Sequence, residues 1–189
     1  MRSLSEGDCL ALRQVARDAI RAAAFRTLPK PWPQDGVFAE RCGVFVTVRV
    51  NNHLRGCIGV VDVDEPLGDA LVRCAMCAAS QDPRFPAIRE EELELLQVEI
   101  SLLSSTVPIV LEEIEIGRHG LMVVQGRQRG VLLPQVATDH HLTVEQFLSE
   151  TCRKAGLAVD AWRGPETQIF GFTCEVVSDS TQPAPSKLS

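Results

Sequence analysis

Val44, Val46, Val48 and Val50 fall at alternate positions and stop at Asn51-Asn52. A two-residue period running into a tight turn leaves the chain little choice of fold. The alternation demands a strand with one apolar face. Asparagine tolerates left-handed backbone angles, so the pair turns the chain and residues 54–61 return as the partner strand. The hairpin recurs further on. Residues 120–124, the turn Gln125-Gly126-Arg127-Gln128 and residues 129–133 repeat it, with Arg-Gly again opening the returning strand, as Arg55-Gly56 and as Arg129-Gly130.

Helices follow both hairpins. Pro66 is suited to a first helical turn, and Leu67, Ala70, Leu71, Cys74, Ala75 and Ala78 give one small-residue face. In the second copy Thr143 and Gln146 form a capping box, Val144, Phe147, Leu148, Thr151 and Cys152 share a face, and Gly156 is placed to stop the helix. A third strand closes each copy, over residues 95–103 and 168–177. An offset of 76 aligns Leu71 with Phe147 and Glu99 with Glu175, and the Arg-Gly steps align at 74. The expected class is α+β: duplicated β-β-α-β units over about 37–105 and 118–178, mostly antiparallel sheet with flanking helices. Ahead of them, Ser5 and Asp8 cap a helix over residues 7–25 whose polar face carries Arg13, Arg17, Asp18 and Arg21, read as solvated charges. Pro29, Pro31 and Pro33 hold an extended connector anchored by Trp32. The two copies and the first helix make one domain over residues 1–178, and the polar residues 179–189 read as a flexible tail.

At 189 residues and 45% hydrophobic content the chain can fill a core, and its formal charge of −6 sets the average surface against a long phosphate backbone. No apolar run nears the ~20 residues that span a bilayer, so a cytoplasmic protein is expected. The odd count of seven cysteines fits reduced thiols that behave mostly as small hydrophobes.

Cys57 is the best nucleophile candidate. Two residues from Arg55 on a strand, it shares a face with a guanidinium that favours the thiolate, and Gly56 and Gly59 leave backbone open to a ligand beside it. The plainer reading is packing, because Val131 occupies the matching place in the second copy. His53, at the hairpin tip, and His119, before the second hairpin, are the candidate bases. Asp82 and Arg84 flank Pro83 in a rigid turn that either caps the preceding helix or clamps an anion. Pro134-Gln135 ends a strand and either presents an amide to a cleft or simply terminates the strand. Cys74 and Cys77 have redox spacing but lie in mid-helix among alanines, and Asp139-His140-His141 fits a loop before a helix cap better than a metal site.

Taken together, the runs Leu54-Arg55-Gly56-Cys57-Ile58-Gly59, Asp82-Pro83-Arg84-Phe85 and Leu132-Leu133-Pro134-Gln135-Val136 resemble the AMMECR domain family. The resemblance implies a prokaryotic setting, with a bacterial one expected, and association with a Memo-like protein and a radical S-adenosylmethionine protein in an AmmeMemoRadiSam system. It makes Arg55, Gly56, Cys57 and Gly59, then Asp82, Arg84 and Phe85, then Pro134 and Gln135 the candidate site residues. It assigns no reaction and no cofactor to this chain. The iron-sulfur chemistry would belong to the partner, because the triple-cysteine spacing such a cluster needs is missing here. Two functions follow as expectations: an accessory enzyme that binds an anionic small molecule near Arg55 and Arg84, or an adaptor that docks its partners without chemistry. RNA binding is a weaker third, opposed by the acidic balance.

Overall fold

The structure is a computed structural model describing residues 3–61 and 64–179. The tail expected after Asp179 lies outside the described residues. Two compact units are present, one formed by residues 1–102 with 176–189 and the other by residues 103–175.

In the first unit, helix α1 (Glu6–Phe25) begins at a complete capping box between Ser5 and Asp8 and ends with Arg26 in the left-handed region. Strands β1 (Gly43–Val50) and β2 (His53–Val60) pair antiparallel around Asn51 and Asn52, whose φ angles of 49° and 65° make the turn a primed one that suits strand twist. The alternation works as expected: Val44, Val46 and Val48 are fully buried beneath helix α2 (Leu67–Ser80), whose Leu67, Ala70, Leu71, Cys74 and Ala75 are likewise sealed. A 3₁₀ turn at Glu90–Leu95 leads into β3 (Leu96–Leu103), which lies beside β1, so the strand order is β2-β1-β3 with β2 at the edge.

The polar face of α1 is not simply solvated. Arg13 donates to the Ser178 carbonyl at 3.1 Å, and Arg17 holds Asp179 at 2.8 Å and the Leu96 carbonyl at 3.0 Å. The Asp179 carboxylate also accepts from the Val98 N–H at 2.7 Å. Trp32 anchors the proline connector as expected: its ring occupies the space over Gly68 and its indole N–H donates to Asp69 at 3.1 Å.

The second unit repeats the plan with an addition. Strands β4 (Val107–Pro108), β5 (His119–Gln125) and β6 (Gln128–Leu132) are followed by a short helix α3 (Pro134–Asp139), helix α4 (Val144–Lys154) and β7 (Gln168–Ser178). β5 pairs antiparallel with both β6 and β7, and β4 adds to β7. Phe147, Leu148 and Cys152 of α4 are fully buried against Leu121 and Val123 of β5. The helix α3 replaces the strand end expected at Pro134: proline there fills the first helical position, where its missing N–H costs nothing.

Both Arg-Gly steps do the same mechanical task. A Cβ on Gly56 would overlap the Ala78 carbonyl of α2, and one on Gly130 would overlap the Thr151 carbonyl of α4 and the N–H of its C-cap, Ala155. In each unit a strand therefore touches a helix backbone where only glycine fits. Gly56→Ala and Gly130→Ala should each lower unfolding free energy by about 2 kcal/mol or more, read from urea denaturation midpoints at unchanged slope.

Candidate functional site

Cys57 lies on the edge strand, so its backbone N–H and C=O point away from β1 and find no sheet partner. The turn at Asp82 supplies both partners. Asp82 Oδ2 accepts from the Cys57 N–H at 2.9 Å, and Arg84 Nη2 donates to the Cys57 carbonyl at 3.3 Å. The two side chains are joined to each other at 2.6 and 2.9 Å, and Asp82 Oδ1 also accepts the Arg84 N–H at 3.1 Å. Asp82 thus neither caps α2, whose last turn runs into Gln81, nor waits for an anion with a free arginine beside it. Its side chain is only 2% exposed, a depth at which a carboxylate needs this full set of donors. The Arg84 bonds hold its carboxyl well below the usual carboxylate range, against the upward push of burial and with help from the two backbone N–H groups. Arg84 in turn lies over the Phe85 ring, 5.3 Å from its centre.

Arg55 does not stand beside the thiol as strict alternation predicts. Register slips between Val48 and Arg49, where Val48 faces Gly56 and Arg49 faces Leu54, leaving Arg55 unopposed in a β-bulge. The guanidinium swings to Glu92 instead, in a two-pronged pair at 2.9 and 3.1 Å, and donates to the Pro86 carbonyl at 3.1 Å. Glu92 is held below its ordinary pKa by that pair, with burial opposing and the Arg89 N–H assisting.

The same slip sets Cys57 opposite Thr47, whose hydroxyl lies 3.3 Å from Sγ. The thiol is partly exposed. Neither glycine leaves backbone open next to it: the Gly56 face is filled by α2, and the Phe45 ring of β1 lies over Gly59. His53 is an exposed residue four positions up the same strand, about 13 Å away at strand rise, beyond hydrogen-bonding reach of Sγ. His119, Pro134 and Gln135 belong to the second unit. His119 Nδ1 accepts the Glu115 N–H at 3.1 Å, which puts the neutral ring's proton on Nε2 and makes it a donor, not a base, at its open end. Pro134 is buried at the start of α3, and Gln135 Oε1 is buried without a hydrogen-bond partner among the described residues.

Glu92 and Thr47 join the site through contacts that no motif signals. Glu92 sits in the acidic run 90–92, where nothing in the sequence tells it from its exposed neighbours, and Thr47 is found only once the bulge is known. Asp139 ends α3 and is not a loop residue, and no group of three or more metal-ligating side chains occurs among the described residues.

An α+β chain with two strand-strand-helix units and a clamped edge cysteine is the class of protein defined so far. The AMMECR1 family model matches residues 13–177, and the chain belongs to the AMMECR1 family. It is similar to a protein of Methanothermobacter thermautotrophicus, 41% identical over 184 residues that cover 92% of this chain and 95% of the relative. A Methanosarcina barkeri protein is 46% identical over 141 residues, covering 71% of this chain and 70% of the relative. The crystal structure of the uncharacterized protein PH0010 from Pyrococcus horikoshii superposes with a TM-score of 0.80 at 35% identity, covering 88% of both chains. These relatives are archaeal, at odds with the bacterial setting expected from the resemblance. Among the described residues no helix is long and apolar enough to cross a membrane.

Replacing Asp82 by Ala leaves the Cys57 N–H without its acceptor and unties Arg84 from the turn, at a cost of about 2 kcal/mol in stability. The pH dependence follows from the lowered carboxyl. The contribution is complete above the unfolded carboxylate value of about 4 and fades as pH falls from there toward the lower folded value. Acid titration of the unfolding midpoint should therefore show the native chain losing stability more steeply below about pH 4 than Asp82→Asn. Parallel curves for the two proteins would remove Asp82 from the acid response.

Proposed function

We propose that the protein is an accessory enzyme whose working group is the Cys57 thiol, acting on a small molecule in a pathway shared with a Memo-like protein and a radical S-adenosylmethionine protein. The observation that carries this reading is the effort spent on a single residue. Cys57 has its N–H held by a buried carboxylate, its carbonyl by a guanidinium and its sulfur by a hydroxyl, while the thiol stays partly exposed. Cysteines that serve only as packing look different here: Cys74 and Cys152 are fully buried. A fixed, reachable sulfur is what attack on an electrophilic carbon requires, since positioning removes much of the entropy of the encounter.

The surroundings narrow the substrate. Arg55 and Arg84 are each matched by a carboxylate, so the local charge is close to balanced. Arg84 nevertheless uses Nε and Nη2 for its bonds and is 53% exposed on its side chain, which leaves Nη1 for one contact to a singly charged anionic group. A polyanion fits poorly. Reduced thiols and the mean surface charge suit a cytoplasmic protein acting away from membranes and nucleic acid.

The second reading, a non-catalytic adaptor for the same partners, draws on the same pairs seen the other way: both arginine motifs close upon residues of their own unit and serve shape alone. Reaction of the native chain with iodoacetamide at pH 7, followed by mass spectrometry of each cysteine peptide, separates the two. Burial pushes the Cys42 and Cys74 thiols up to about 11 and Cys174 up to about 12, so these should react slowly. The enzyme reading expects Cys57 to react about tenfold faster than Cys9 and Cys77, which are also partly exposed. Equal rates at the three would favour the adaptor.

A further inference from the structure

The second unit carries a cavity of about 630 Å³ that includes none of the residues around Cys57. It opens where the two units of the repeat differ in the chain itself. Between β2 and α2 the first unit has only the link 61–66, whereas between β6 and α4 the second unit has the longer link 133–143, which folds as α3. Leu132 from the end of β6, Val136 from α3 and Leu142 from the turn into α4 form an apolar floor. Each packs on the buried core below and stays partly exposed above. The wall is polar and comes mainly from the last turn of α4. Arg153 is ion-paired with Glu150 on the same helix, and both line the cavity. Lys154 stands beside them and forms no ion pair with a described residue, and the His140 imidazole completes the wall.

The wall carries one net positive charge above three partly exposed aliphatic side chains. Basic residues in a last helical turn are favoured by the helix dipole whatever lies nearby, so Arg153 and Lys154 alone would mean little. The dipole gives no reason for a hydrocarbon floor next to them. The volume lies within the range of small-molecule sites, which join apolar walls to a few convergent polar groups. In a chain whose formal charge is −6, an unmatched lysine over an apolar hollow selects by charge as well as by shape.

We infer that this cavity is a binding site for a small amphipathic carboxylate, whose hydrocarbon body lies on Leu132, Val136 and Leu142 and whose single negative head meets Lys154 and the free face of Arg153. The site is separate from the thiol chemistry proposed for Cys57 and stands or falls without it. Octanoate serves as the probe, with octanamide keeping the body without the charge and acetate the charge without the body. Titrated into the full ¹⁵N-labelled chain at pH 7, octanoate should shift the amide resonances of Val136, Leu142 and Lys154 in a saturable way. Octanamide and acetate should each bind about tenfold more weakly, the order of one charge-assisted contact or of the lost apolar burial. Lys154→Glu should weaken octanoate about tenfold, and Val136→Glu should weaken it from the floor. Lys154→Gln serves in place of Lys154→Glu if charge reversal disturbs α4. Equal binding of octanamide, equal binding of acetate, shifts mapping elsewhere, or octanoate affinity indifferent to Lys154 would each overturn the assignment.

Discussion

A sheet that ends in a free strand leaves hydrogen-bonding groups along its rim, and much of the first unit is arranged around how that rim is closed at Cys57. The closing piece is a carboxylate, not another strand. Asp82 can be buried only because Arg84 neutralises it, and Arg84 can stay in place only because it is tied to Asp82 and to the Cys57 carbonyl. Removing Arg84 would leave a buried carboxylate without its counter-charge. Pro83 between them limits the turn to one backbone course, so the clamp comes at a small entropic cost.

The clamp works because β2 is already pressed onto α2. Gly56 lets the strand backbone meet the Ala78 carbonyl, which fixes the height of β2 over the last turn of the helix that delivers Asp82. Gly130 repeats the contact against α4, and Val131 takes the place of the cysteine. The repeated unit therefore supplies a scaffold common to both copies. The thiol and its clamp belong to the first copy and the cavity beside α3 to the second.

Much of this frame was legible in the sequence. The valine period, the Asn51-Asn52 turn and the two capping boxes each rest on local physics, and each element appears within a residue or two of its expected bounds. The site was legible in part. Counting back from the turn sets Thr47 opposite Gly56, and only the bulge at Arg55 moves it opposite Cys57. A bulge adds no residue type that sequence alone could flag, so the partner of the thiol and the true course of Arg55 were both lost. Glu92 and the Arg17-Asp179 pair were unreadable for another reason, since they join residues far apart in the chain whose meeting depends on packing. Pro134 carried a signal with two meanings, strand end and helix start, and six residues of α3 give too little periodicity to choose between them.

Strand β7 begins in the second unit and finishes in the first, where Val177 enters the core and Asp179 receives Arg17. The N-terminal unit is thus interrupted by the other and is completed by its own last residues only after residues 103–175 have been synthesised. At ribosomal speeds that wait lasts roughly 4 to 15 s. During it α1 presents Arg13 and Arg17 with no acceptor at the C-terminal strand, and the inserted unit has the time to fold alone. A nascent chain of this design can close its first unit only once both of that unit's separate segments have left the ribosome.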